Sequence, residues 1–320
     1  FYLCPYSLFR RGEEAMEQEI FPGQWTEDQW SLVQQTVRDE ASKVRVAASF
    51  LPRNGPWPSE TDSVPTQDFF DNQPNPLPGG PPNRLAVDDR TTRPLTTISV
   101  NVQIRNSQIA QPDLSSALSM FRRAANIIGR IEDGLIFQGQ NSVNPFNNAQ
   151  FPNLPNVFQV SGGAIWRGLI DAATRQGSGQ QPFDSLRDQN GTLAYSPDAF
   201  VRDITRGIST LEEGGYLAPF ALVLSNDLFE LAHTPTDSLV MPADRIKPIL
   251  NGPLLRSSTI RPLYGVLMST AADPVDLVLA SDISVKPVQV TMEPRHVYRV
   301  SQRFTLRIKQ PGALLAFGPE

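Results

Sequence analysis

Two histidines and one cysteine are all that this 320-residue chain offers to imidazole and thiol chemistry. His233 falls at the end of an expected short helix, where an imidazole can stabilise the last carbonyls. His296 falls inside an expected strand beside Tyr298, a packing position. A metal centre built on imidazole needs more histidines, or carboxylates at matched spacing. Cys4 sits in an N-terminal extension, and a single cysteine excludes both an internal disulfide framework and a cysteine-based zinc site. No G-x-S-x-G nucleophile elbow occurs. Glu132-Asp133 are adjacent on an expected helix, so they point to different faces, and solvation or a salt bridge suits them better than paired acid catalysis. Ser161-Gly162-Gly163 and Gly177-Ser178-Gly179 lack phosphate-loop spacing and read as turns. Trp25, Trp30, Trp57 and Trp166 read as packing anchors. The expectation is no catalytic residue, no cofactor and no metal: a chain that is not an enzyme.

The elements around these residues give an α+β class. Thr26 is an expected N-cap, with Gln29 completing a capping box, for a helix running to about Ala47. Trp30, Val33, Val37, Ala41 and Val44 form its apolar stripe. Thr96–Arg105 alternates strictly, with Ile98, Val100, Val102 and Ile104 on one side, as a half-buried strand does. Asp113 is the expected cap of a long helix lined by Leu114, Leu118, Phe121, Ala125 and Ile128. Residues 141–160 read as loop and Ala164–Gln176 as a short helix. Ser196-Pro197 opens a helix lined by Phe200, Ile204, Ile208 and Leu211, which Gly214-Gly215 ends. Phe220–Leu224 reads as a buried strand, followed by a short helix capped by Ser225 or Asn226. The C-terminal part is β-rich: Val275–Ala280, Val285–Val290, Val297–Ile308 and Ala313–Phe317, with turns at Glu293-Pro294 and Pro311-Gly312.

Composition adds the decisive oddity. Apolar residues make up 40%, enough for a core, while the net charge of −5 and the absence of any long basic run argue against a nucleic-acid partner. No apolar stretch reaches the roughly 18 residues of a membrane span, and the apolar opening Phe1–Tyr6 is too short for a secretory signal. Proline is in excess, 29 residues, and ten of them fall between Pro52 and Pro94. Proline removes backbone donors and blocks helices, so this stretch is an extended arm. A structureless arm of that length is more reasonable lying on another subunit than inside its own domain. Within it, Asp88-Asp89 between Arg84 and Arg90 suit ion pairs across subunits.

Four segments then resemble one family. They are Thr26-Glu27-x-Gln29-Trp30 reaching Phe50 and Gly55-Pro56, and Pro112–Ser116 leading to Ile131-Glu132-Asp133-Gly134-Leu135-Ile136-Phe137-Gln138-Gly139. The third is Pro219–Leu228, and the fourth runs from Ala272–Asp282 through Phe304–Ile308 to Pro311-Gly312-Ala313. In this order they resemble an encapsulin, a shell protein of the linocin-type group (family 1-like) that shares the HK97-type fold of tailed-phage capsids. The resemblance implies a P-domain (96–232 and 283–320), an A-domain (233–282), an extended E-loop (53–95), an inward-facing N-terminal helix (25–52) and an extension (1–24). Pro56-Trp57-Pro58 stands where the family has a Gly- and aromatic-rich strand, and the flavin-binding residues of some members are not matched. The alternative on the same fold is the major capsid protein of a tailed phage or prophage.

The implied function is a self-assembling icosahedral compartment in the cytoplasm. Its partners are further copies of itself and a cargo enzyme carrying a short targeting peptide, with neither nucleic acid nor membrane. By position, Trp30, Val33, Val37, Phe50, Ile283 and Val285 either line the cargo-peptide groove or form intramolecular core. Asn251-Gly252-Pro253 either lies at a pore on a symmetry axis or is an ordinary turn. Pro74, Pro76, Pro78, Arg84, Asp88, Asp89 and Arg90 belong to the intersubunit arm. Excising 53–94 is expected to leave a folded subunit that cannot assemble.

Overall fold

The computed structural model describes residues 25–70, 86–88, 90–140, 155, 157–163, 166–183, 196–235, 240–290 and 295–319. The extension 1–24 with Cys4, the arm residues Pro74, Pro76, Pro78, Arg84 and Asp89, and the Glu293-Pro294 turn lie outside them. Of Asp88 the backbone alone is described.

In chain order the helices are α1 (Glu27–Val44), α2 (Asn106–Ile109), α3 (Ser115–Gln138), α4 (Leu169–Gln176), α5 (Pro197–Glu213), α6 (Asn226–Ala232) and α7 (Pro242–Leu250). The strands are β1 (Arg53–Asn54), β2 (Ser63–Pro65), β3 (Asp68–Phe70), β4 (Ala86–Asp88), β5 (Thr92–Pro94), β6 (Thr96–Arg105), β7 (Phe158–Gly162), β8 (Gln180–Pro182), β9 (Phe220–Leu224), β10 (Leu254–Arg256), β11 (Gly265–Ser269), β12 (Val275–Val290), β13 (Arg295–Ile308) and β14 (Leu314–Gly318).

One sheet has the order β1-β12-β13-β6-β7, and α1 and α3 lie against it. Its alternating strand β6 turns Ile98, Val100, Val102 and Ile104 into the core, as the sequence pattern requires. The second sheet has the order β10-β9-β11-β14-β8, and its three central strands are buried on both faces. Val223, Val266, Met268, Leu314 and Ala316 join the core of α1 and α3. Their neighbours Leu222, Leu224, Leu267, Leu315 and Phe317 face α5, α6 and α7. Burial on both faces is why these strands read as continuous apolar runs without alternation.

The helical layer over the second sheet begins with α5 at Pro197, whereas 275–282 form the first half of β12 in the first sheet. Local differences also have physical causes. α1 ends at Val44, three residues early, and a 3-10 turn at Ala47–Ser49 follows. The N-cap of α3 is Leu114 in the left-handed region (φ 51), not Asp113, although the Asp113 carboxylate accepts the Ser115 N–H at 3.3 Å. α4 starts at Leu169 rather than Ala164 because Arg167 is still bridged to Gly139. Residues 158–160, expected as loop, are held in β7 by antiparallel pairing with β6.

Candidate assembly and docking surfaces

The foot of α1 is built around charges that an apolar sequence run conceals. Glu132 and Asp133 lie in α3 amid Ile131, Leu135, Ile136 and Phe137, and both are fully buried. The chain leaving α1 crosses α3 here and brings backbone donors with it. The Asp133 carboxylate accepts the N–H of Val46 at 2.8 Å and of Ala47 at 2.9 Å, capping the 3-10 turn. Glu132 pairs with the Arg45 Nε at 2.5 Å. The same guanidinium donates to Gln302 Oε1 on β13 at 2.6 Å and to Asp282 Oδ1 on β12 at 3.0 Å. One arginine thus ties α1, α3 and both long strands together. The salt-bridge reading of Glu132 is correct; the solvated one is not, because no water-facing surface remains for either carboxylate. Two carboxylates inside an unbroken apolar run were the available signal, since such groups are buried only when partnered.

Burial pushes the Asp133 carboxyl up to about 8 against its two N–H donors. Burial likewise raises Glu132 against the pull of Arg45. Desolvation acts to raise Asp282 too, but the Arg45 charge and the Ile283 N–H outweigh it and hold that carboxyl below its ordinary value. A carboxyl with a raised pKa keeps a proton that the unfolded chain has released, so stability falls as pH rises between 3.8 and about 8. His296, lowered by burial from 6.5, works in the opposite sense only below that value. Between pH 7 and 8 the unfolding temperature is therefore expected to drop by about 1–2 °C. Scanning calorimetry of Asp133→Asn should show a lower but flatter profile over that interval.

Four of the six docking candidates are core of the subunit. Val33 and Val37 on α1 face α3 and the first sheet, and Ile283 and Val285 on β12 face them in turn. Their apolar stripe is taken up by the protein's own packing, which is the intramolecular-core alternative for these four. Trp30 and Phe50 remain half-buried; Trp30 meets Trp25 and Tyr298 edge-on, and Trp25 stacks on Tyr298 at 4.9 Å. On these two elements the large apolar side chains left open are Leu32 on α1 and Val288 and Val290 on β12, 45%, 39% and 49% exposed. β1 accompanies β12 only at Leu277 and Val278, and past Leu279 the outer edge of β12 has no strand partner among the described residues. Gln34 closes that edge at Val285, donating to its carbonyl at 2.8 Å and accepting its N–H at 3.1 Å.

The arm has a stem belonging to the subunit. β2 pairs antiparallel with β5, and β3 with β4. Arg303 donates to the Ser59 carbonyl at 2.8 Å and to Asp62 Oδ1 at 2.7 Å, and Arg93 donates to the Leu306 carbonyl at 2.7 Å. Val64 and Leu95 are buried. Excision of all of 53–94 would therefore strip part of the first sheet, contrary to the expectation that the subunit survives it. The outer ladder differs: Phe69 and Val87 stand opposite each other and are 41% and 49% exposed. Arg90 is exposed beside it.

Asn251 ends α7 in the left-handed region (φ 49), and Gly252 packs so closely that a Cβ would stand 2.3 Å from the Phe220 carbonyl oxygen. That contact gives the turn an intramolecular cause. Gly252→Ala is expected to cost about 2 kcal/mol, read by thermal unfolding. His233 does what its position suggests: its Nδ1 lies 2.9 Å from the Phe229 carbonyl at the end of α6. His296 lies 2.6 Å from Asn106 Oδ1. Among the described residues no cluster of three His, Cys, Asp or Glu side chains could hold a metal, and no helix is long and apolar enough to cross a membrane.

Comparison with known proteins places this architecture. The type 1 encapsulin shell protein EncA of Myxococcus xanthus is 27% identical over 145 residues, 43% of this chain and 50% of that relative. The chain thus spans half the length of that relative. The virus-like particle of Pyrococcus furiosus superimposes with a TM-score of 0.62 at 14% identity, over 91% of this chain and 100% of that one. The capsid of Myoviridae phage XM1 gives 0.58 at 12% identity, over 86% and 91%. At such identities the likeness shows the fold, which is the HK97-type capsid fold. The model of the family described as "Encapsulating protein for peroxidase" matches residues 19–148 and 182–304, most of the chain from the α1 region to β13. The chain belongs to that family of encapsulating shell proteins.

Proposed function

We propose that this chain is the non-catalytic subunit of a closed icosahedral compartment in the cytoplasm that encloses a cargo enzyme. The observation that carries the reading is the family match over 19–148 and 182–304, on a chain whose whole architecture is a capsid fold. The two sheets with α1 and α3 act as the P-domain, the α5–α7 layer as the A-domain, and 53–95 as the E-loop that clasps a neighbour. The exposed Phe69–Val87 pair supports the clasp, since it is an apolar surface awaiting a partner. The Asn251-Gly252-Pro253 turn lines a pore at a symmetry axis. A short cargo peptide rests its apolar side chains on Leu32, Val288 and Val290, near Trp30, with α1 facing inward.

Electron microscopy of the purified protein should show closed particles of one size; a soluble monomer would overturn the reading. Particles filled with DNA would favour the phage capsid alternative. Mass spectrometry of particles from the native host should name one abundant enzyme. Leu32→Asp with Val288→Asp should leave the shells intact and reduce that enzyme's share at least tenfold. An unchanged cargo load would remove this face as the docking site.

A further inference from the structure

We propose that the cleft where the C-terminal end of α3 meets α4 and the turn before β11 binds a phosphate-bearing anion. This goes beyond shell formation and does not depend on it. The cleft measures about 610 Å³, within the range of small-ligand sites and larger than one inorganic phosphate needs. It lies at the junction of the two sheets, since α3 and α4 pack on the first core while β8 and β11 belong to the second sheet.

Its charge is one-sided. Arg167, Arg175 and Arg261 line it against a single carboxylate, Asp171. In a chain of net charge −5 this concentrates an excess of two positive charges in one place.

Each guanidinium has a partner on the cleft wall while keeping its outer face open, Arg167 being 43% and Arg175 65% exposed. Asp171 on α4 takes Arg175 Nε at 2.7 Å from one side and Arg167 Nε at 3.4 Å from the other. Gln138, at the buried end of α3, accepts from Arg261 Nε at 3.2 Å while its amide donates to the Thr259 carbonyl. The floor is rigid. Gly139 packs against the Trp166 carbonyl so tightly that a Cβ would stand 2.7 Å from it, and the Gln140 N–H donates to that same carbonyl at 3.1 Å. Arginine forks grouped in this way match the several oxygens of a phosphate better than a lone carboxylate, and the Tyr264 ring supplies a flat wall.

Calorimetric titration of the purified full chain with inorganic phosphate, pyrophosphate and adenosine monophosphate, at constant ionic strength, tests the site. Pyrophosphate is expected to bind more tightly than phosphate. Arg175→Gln and Arg261→Gln should each weaken it about tenfold, and the pair about a hundredfold. Arg122→Gln, an exposed position on the far part of α3, should change nothing. If adenosine monophosphate binds as tightly as pyrophosphate, an organic phosphate seated on Tyr264 is the ligand class; the reverse ranking assigns the inorganic anion. Absence of binding by all three probes, or equal binding by the double variant, overturns the proposal.

Discussion

Phe69→Asp is expected to abolish shell assembly while leaving the subunit folded. Phe69 stands on the outer ladder of the arm, 41% exposed opposite Val87, and the covered part of its ring only lines an open cleft beside Trp166 and Lys309. Its backbone N–H, which donates to the Lys309 carbonyl at 3.1 Å, is unaffected by the substitution. In a closed shell the same contact recurs in every subunit, and burying an unpaired carboxylate costs several kcal/mol each time. Analytical ultracentrifugation should find monomers or small oligomers with an unchanged circular dichroism spectrum. Val87→Asp should do the same. Intact particles from both variants would show that the arm is not the clasp.

Arg45→Met is expected to be the most destabilising single change in the subunit, by about 3–5 kcal/mol. The arginine is the counter-charge of fully buried Glu132 and the donor to Gln302 and Asp282. Removing it leaves Glu132 charged in an apolar interior or forces it to take up a proton. The unassembled Phe69→Asp protein is the right background, because in a shell the stability of a subunit cannot be separated from assembly. Denaturant unfolding at pH 7 should show the loss. Lowering the pH to 5 should return part of it as Glu132 is protonated, and adding Glu132→Gln should return much of it at pH 7. Equal stability of Arg45→Met and its parent would mean that Glu132 is not held by this pair.

How much of this was legible in the sequence follows the range of the interaction involved. The capping box at Thr26 and Gln29, the Pro197 start of α5, the alternation of β6 and the all-apolar runs of β9 and β14 depend on neighbours a few residues apart, and they read correctly. The choice between groove and core for the docking candidates was beyond the sequence for the opposite reason. Val33, Val37, Ile283 and Val285 are apolar and periodic, but periodicity states only that a face is covered, not whether the cover is the protein's own sheet or a partner's peptide. The open apolar positions, Leu32, Val288 and Val290, carry no pattern that sets them apart from the buried ones.

The proline-rich arm shows the same boundary. Ten prolines in 52–94 forbid a helix and stiffen the chain, which lowers the entropy lost on docking, and that much is composition. That its stem is welded to the first sheet through Arg303 and Arg93, leaving Phe69 and Val87 outward, depends on residues more than two hundred positions apart. The buried charges at the foot of α1 complete the contrast. Sequence shows that Glu132 and Asp133 interrupt an apolar helix and leaves solvation and a salt bridge both open. Only the crossing of α1 over α3 supplies Arg45 and two backbone N–H groups, because a buried charge is tolerated through contacts that chain order does not contain.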